Sequence, residues 1–194
     1  MLREIKKEIR ILGWDDSPFD EDDEKVSVVG VVCRGGNYID GILKTEVTRD
    51  GLDATQKLVE KINQTKHKDQ LRVVMLDGIT YAGFNTVDIE KLYEKTGLPV
   101  IVVVRKKTGF KAFKKALKNL PNEEKRLKAI KNAGNMEGLK IKGKEIYFQR
   151  KGISRENTKK VIKISATHSL LPEPIRVAHL IASGIEKGES VGSA

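Results

Sequence analysis

The chain has 194 residues, 39% of them hydrophobic and 33% charged, with a formal net charge of +10. That length suits a single domain over residues 1–194 with a sizeable core, and no apolar run approaches the roughly 20 residues that span a bilayer. The first residues, MLREIKKEIRIL, lack the apolar centre of a secretory signal, and the lone Cys33 excludes an internal disulfide or a cysteine-rich zinc site, so a cytoplasmic protein without a membrane partner is expected.

Glu8 to Trp14 reads as a short strand, with Ile9 and Ile11 alternating, that runs into Asp15 and Asp16. Ser17-Pro18-Phe19 turns the chain into an acidic loop. Residues 15–24 hold seven acids and no base, which leaves the other 184 residues with 37 bases against 20 acids. A basic body of this kind fits a polyanion, most simply nucleic acid. A Lys- and Glu-rich solvated surface would give the same count. Lys25 to Arg34 is a valine-rich strand, Gly35-Gly36-Asn37 a hairpin turn, and Tyr38 to Arg49 a third strand with a bulge expected at Gly41. Asp50-Gly51 closes it, and Asp53 is placed to cap a helix running to about Gln64.

Val73 to Leu76 is a buried strand ended by Asp77-Gly78; a helix follows from about Thr86 to Thr96, stopped by Gly97, and then the strand Leu98 to Arg105. This alternation implies parallel neighbours and right-handed crossovers. Phe110 to Ala133 is helical and very basic, divided by Pro121. Lys140 to Arg150 is a hairpin or single strand, Ser154 to Ile164 a Ser-capped helix, Thr167 to Pro174 a loop, Ile175 to Glu186 the last helix, and residues 188–194 a mobile tail.

Three antiparallel strands followed by helix, strand, helix and strand match the pattern of a ribonuclease-H-like domain: a mixed sheet, antiparallel then parallel, flanked by helices. In that architecture acids at strand ends converge. Here they are Asp15 with Asp16, Asp50 with Glu46 and Asp53 as alternatives, and Asp77. Phosphodiester cleavage needs Mg²⁺ or Mn²⁺ to activate water and neutralise the leaving oxygen, and oxygen ligands suit those ions. The blander reading makes these acids turn and cap residues, which suits Asp50 and Asp53 well. If the first and fourth strands are parallel neighbours, Asp15 and Asp77 should approach within about 4–7 Å, with Asp50 at the same mouth and His168 over it.

The stretches RGGNYIDGIL at 34–43, DGLDAT at 50–55, VVMLDGITYAGFNTVDI at 73–89, LPVIVVVRK at 98–106 and LPEPIRVAH at 171–179 resemble an archaeal family described as endonuclease-dU-like, related to endonuclease V. Endonuclease V motifs have counterparts in Gly13-Trp14-Asp15, Tyr38-Ile39-Asp40-Gly41, Leu76-Asp77-Gly78 and Leu171 to Pro174. Asp40 replaces the proline of the second motif, Ala82-Gly83-Phe84 stands where that enzyme has His-Pro-Arg, and Arg105 replaces a lysine. The resemblance implies a divalent-metal-dependent endonuclease acting on nucleic acid, DNA favoured over RNA, at deaminated bases such as uracil or inosine. The alternative is a non-catalytic nucleic-acid-binding module of the same fold. On this reading Asp15, Asp16, Asp50 and Asp77 hold metal and His168 assists catalysis. Tyr38, Arg105, Lys106 and Lys107 meet the nucleic acid, with Trp14 a second stacking candidate. His179 is expected to be a core or interface residue and His67 to face solvent.

Overall fold

The computed structural model describes residues 4–107, 110–118 and 120–191. The last residues of the expected tail, 192–194, and positions 108, 109 and 119, the last of these within the expected basic helical stretch, lie outside them. Strands β1 (Arg10–Asp16), β2 (Lys25–Arg34) and β3 (Tyr38–Thr48) form the expected antiparallel meander. Helix α1 (Ala54–Gln64) leads to β4 (Val73–Asp77), and a small hairpin, β5 (Thr80–Tyr81) and β6 (Asn85–Thr86), precedes α2 (Ile89–Thr96). Then come β7 (Val100–Val104), α3 (Phe110–Leu117), α4 (Glu123–Asn132), the hairpin β8 (Glu137–Ile141) and β9 (Lys144–Lys151), α5 (Arg155–Ser165) and α6 (Glu173–Lys187). Among the described residues no helix is long and apolar enough to cross a membrane.

The main sheet has seven strands in the order β3-β2-β1-β4-β7-β9-β8. Its centre is parallel: β1 pairs with β4, Ile11 level with Val73 and Trp14 with Leu76, and β4 pairs with β7. Side chains alternate across a strand, so each central strand serves two cores. Leu12, Trp14, Val74, Leu76, Val100 and Val102 pack against α1 and α2. Ile11, Val73, Met75, Ile101 and Val103 pack against α5 and α6. Each fully buried side chain of this size contributes about 1.5–3 kcal/mol, which explains the near-continuous apolar runs in β4 and β7.

Helix α6 lies directly on β1. A Cβ at Gly13 would fall 2.3 Å from the Pro174 carbonyl carbon and 2.6 Å from the Ile175 nitrogen, so glycine is what lets the two backbones approach.

Four local features differ from the expectation. The bulge falls at Asp40, one residue early, because Val32 pairs with Gly41 and Cys33 with Ile39. The released Asp40 accepts hydrogen bonds from Arg10 Nε (3.1 Å) and Arg34 Nε (3.0 Å). Asp53 precedes α1 but makes no cap; its carboxylate accepts from Thr48 and Asn85, while Asn85 Oδ1 takes the Ala54 N–H at 3.0 Å. Residues 86–88 are not helical, and Asp88 caps α2 instead by accepting from Glu90 N and Lys91 N. The stretch 140–150 is a hairpin that starts earlier, at Glu137, turning on Lys142 and Gly143 at φ 47° and 80°.

Candidate active site

The carboxyl ends of β1, β4 and β7 meet at one edge of the sheet. Gly13 and Asp15, Met75 and Asp77, and Val103 and Arg105 continue the alternation that faces α6. One position beyond the Trp14–Leu76 pair, Asp15 lies beside Asp77 on strands about 4.8 Å apart. The two acids line an open cleft of about 490 Å³ with Asp16, Gly78, Arg105 and His179. Behind it, the fully buried Tyr81 donates its hydroxyl to the Trp14 carbonyl at 3.1 Å, bracing the backbone next to Asp15.

Burial dominates the electrostatics. It pushes Asp15 up to about 7, helped by the charges of Asp77 and Asp16 and opposed first by a hydrogen bond with His179. Asp77 is pushed up to about 6 by burial and by Asp16, while Arg105 and His179 pull it down. Asp16 is also raised by burial, against the hydrogen bond it accepts from Ala82 N at 2.6 Å. His179 Nδ1 sits 2.9 Å from Asp15 Oδ2, and that bond raises the imidazole above its ordinary value although burial works the other way. With Nδ1–H donating to the carboxylate, the charge of Asp77 and the backbone of Val191 add smaller contributions that favour the imidazolium.

Clustered carboxylates held partly protonated by burial are the donor set that a hard cation ionises. Among the described residues no group of three His, Cys, Asp or Glu side chains is placed to hold a metal ion together. A hydrated Mg²⁺ needs no cage; it binds through one or two carboxylates and keeps several waters. Asp15 and Asp77 fit that requirement.

The remaining candidates are dispersed. Asp50, at φ 48°, turns its carboxylate onto Phe84 N at 2.8 Å and its own N–H onto the Ala82 carbonyl. It fastens the β5–β6 turn and does not line the cleft. Glu46 is exposed and pairs with Lys44. His168 does not overhang the cleft. Its side chain is 72% exposed and contacts Thr167 and Glu173 at the start of α6. Because α6 runs along β1 from Gly13 toward Asp15, the histidine that reaches the carboxylates is His179, inside the helix. Tyr38 is 54% exposed and stacks under Arg34, 5.0 Å from its ring centre, beside the start of β1 and so at the opposite end of the sheet. Lys106 and Lys107 are exposed. Lys107 also edges a recess of about 650 Å³ that shares Gly78 and Val104 with the cleft.

These observations define a ribonuclease-H-like protein whose central parallel strands bring two acids and an arginine, and whose last helix brings a histidine, to one cleft. Comparisons with known proteins agree with this class. The sequence model described as Endonuclease dU matches residues 7–186. A UPF0215 protein of Methanosarcina mazei is 54% identical over 192 residues, covering 98% of this chain and 97% of its own length. The chain belongs to the endonuclease dU family. Its fold is also that of an Archaeoglobus fulgidus protein of unknown function (42% identity, TM-score 0.84, 91% of this chain and 98% of that one). Ciona intestinalis endonuclease V, in complex with a 24mer DNA containing an inosine followed by a ribo-adenosine, shares the fold at 17% identity and a TM-score of 0.62 (93% of this chain, 87% of that one).

Proposed function

We propose that this protein is a divalent-metal-dependent endonuclease that cuts nucleic acid, DNA in preference to RNA, next to a deaminated base. The observation that carries the reading is the side-by-side burial of Asp15 and Asp77 at the carboxyl ends of adjacent parallel strands, where each disfavours ionisation unless a cation is present. Asp15 and Asp77 would hold Mg²⁺ or Mn²⁺, with Asp16 alongside. A bound ion of this kind supplies a nucleophilic water and charge neutralisation at the scissile phosphate.

The chain's own groups do the rest. His179 fixes the orientation of Asp15 through Nδ1. Arg105, on the far side of Asp77, meets a phosphate oxygen, and Lys106 and Lys107 continue the positive track. The recess past Gly78 is apolar-walled and large enough for one unstacked base, and damaged or mispaired bases are the cheapest to unstack. The names of related proteins, endonuclease dU and an endonuclease V bound to inosine-containing DNA, support the same substrate class.

The test is a cleavage panel of uracil-, inosine- and abasic-containing DNA and RNA with Mg²⁺, Mn²⁺ or EDTA. The expected result is metal-dependent cutting of the deaminated substrates, lowered about a thousandfold or more by Asp77→Asn in a protein that still folds. Undiminished cutting by Asp77→Asn would refute the assignment. Salt-sensitive binding with no cutting of any substrate would leave a nucleic-acid-binding module.

A further inference from the structure

The recess beside the cleft lies on the sheet face that carries α4. Its walls include Ile79, Phe113, Ile130 and Met136, and one buried polar side chain enters among them. Gln149 comes from β9, where it pairs with Val102 and so shares the face of Val100 and Val102, while its neighbour Phe148 serves the opposite core. It is 4% exposed. Its Nε2 donates to the Gly134 carbonyl at 2.6 Å. Only an NH₂ group can sit against a carbonyl oxygen, so this contact fixes which end of the amide is which. The other end, Oε1, is buried and has no hydrogen-bond partner among the described residues. A buried acceptor left unpaired is costly, and it is a specific preference waiting for a donor.

We infer that Gln149 is a specificity-determining residue, whose Oε1 accepts a hydrogen bond from the ring N–H of the base held in the recess. The inference rests on the reading that this cleft acts beside an unstacked base. Deamination changes that one ring position. Uracil carries a hydrogen on N3 and hypoxanthine on N1, whereas cytosine and adenine present a lone pair there. An acceptor therefore welcomes the deaminated member of each pair and sets lone pair against lone pair with its parent. Thymine and guanine carry the same N–H, so Gln149 does not reject them; their pairing and stacking in intact duplex do that.

The experiment uses Asp77→Asn protein, so that binding is read without cutting, and single-stranded oligonucleotides differing only at one base. Anisotropy gives the uracil-to-cytosine and hypoxanthine-to-adenine affinity ratios. The expected ratios favour the deaminated base by on the order of tenfold to a hundredfold, and adding Gln149→Met, close in volume but without an acceptor, brings them to near unity. A thermal melt shows whether that variant is folded. An oligonucleotide carrying 2-pyrimidinone, which is smaller than uracil and lacks the N3 hydrogen, tests the same bond in protein with Gln149 intact. It should bind like the cytosine form. Unchanged ratios in a folded Gln149→Met protein, or 2-pyrimidinone binding as tightly as uracil, would overturn the assignment. Either result leaves metal-dependent cutting untouched, because cutting is measured separately in the unmutated chain.

Discussion

Asp15 is under opposed demands. Burial favours its neutral form, whereas the proposed metal-holding role requires its charged form. In the unfolded chain it loses its proton near 3.8, whereas in the folded chain it keeps it up to about 7, and Asp77 up to about 6. Between those values the native state binds more protons, so stability falls as pH rises. His179 adds a change of the same sign, because its raised folded value makes its favourable contribution fade as the imidazole deprotonates. The metal-free protein should therefore melt at a higher temperature at pH 5 than at pH 8. Asp15→Asn should flatten that slope and gain roughly 1–3 kcal/mol at pH 8. Mg²⁺ at pH 8 should raise the melting temperature of the unmutated chain but not of the Asp15→Asn, Asp77→Asn double variant. A pH-independent melt would contradict the electrostatics of the cleft. Gly13 makes a steric counterpart to this test. Gly13→Ala puts a methyl group into the backbone of Pro174 and Ile175, and α6 must move to admit it. A loss of about 2–4 kcal/mol in urea unfolding is expected, together with separation of His179 from Asp15, visible as a lower imidazole pKa by NMR.

Among the elements, α4 has the least obvious part. Its Arg126 is 1% exposed and donates to the backbone carbonyls of Asp50 (2.5 Å), Gly51 (2.9 Å), Phe84 and Pro121. The β5–β6 turn that Arg126 grips also supplies Ala82 N to Asp16, so α4 reaches the cleft through two backbone contacts. Arg126→Met should cost about 3 kcal/mol by leaving several buried carbonyls unpaired, with the loss read by chemical denaturation. Strands β2, β4 and β7 were plain in the sequence because strands covered on both faces become apolar runs rich in β-branched residues. The parallel neighbours followed from the helix–strand alternation. The Asp15 and Asp77 pairing was legible for the same reason, since both end such strands. His179 was not, because one histidine beside the small inner residues Ala178 and Ala182 looks like any helix packed on a sheet. Only the close approach of Gly13 to Pro174, made across most of the chain, brings it to Asp15. Asp50 misled for a similar reason: a turn residue at a strand end gives no sign that its carboxylate is taken by Phe84 N. The β5–β6 strands, two residues each, are too short to show a period at all.

Over the whole molecule, charge is divided by region. The acidic residues Asp20 to Glu24 follow directly on the Ser17-Pro18-Phe19 edge of the cleft, while Arg105, Lys106 and Lys107 leave it on the other side. On the proposed function, this division of charge would steer a polyanion in from the β7 side. Replacing Lys106 and Lys107 by Ala should weaken DNA binding without changing base preference, and should flatten the log K against log salt slope by about 0.9 for each phosphate that is no longer neutralised. An unchanged slope would move the binding track elsewhere. The strand order β1-β4-β7 has a further consequence, in the history of the chain rather than its resting form. The β1–β2–β3 meander closes through short turns, but β1 meets β4 only by joining Ile11 to Val73 across 62 positions of sequence. Such non-local pairing is the slow part of folding. Asp77 arrives with β4, so a chain still being made, or one half unfolded, carries Asp15 alone. On the proposed function, the capacity to cut would be withheld until the sheet is complete.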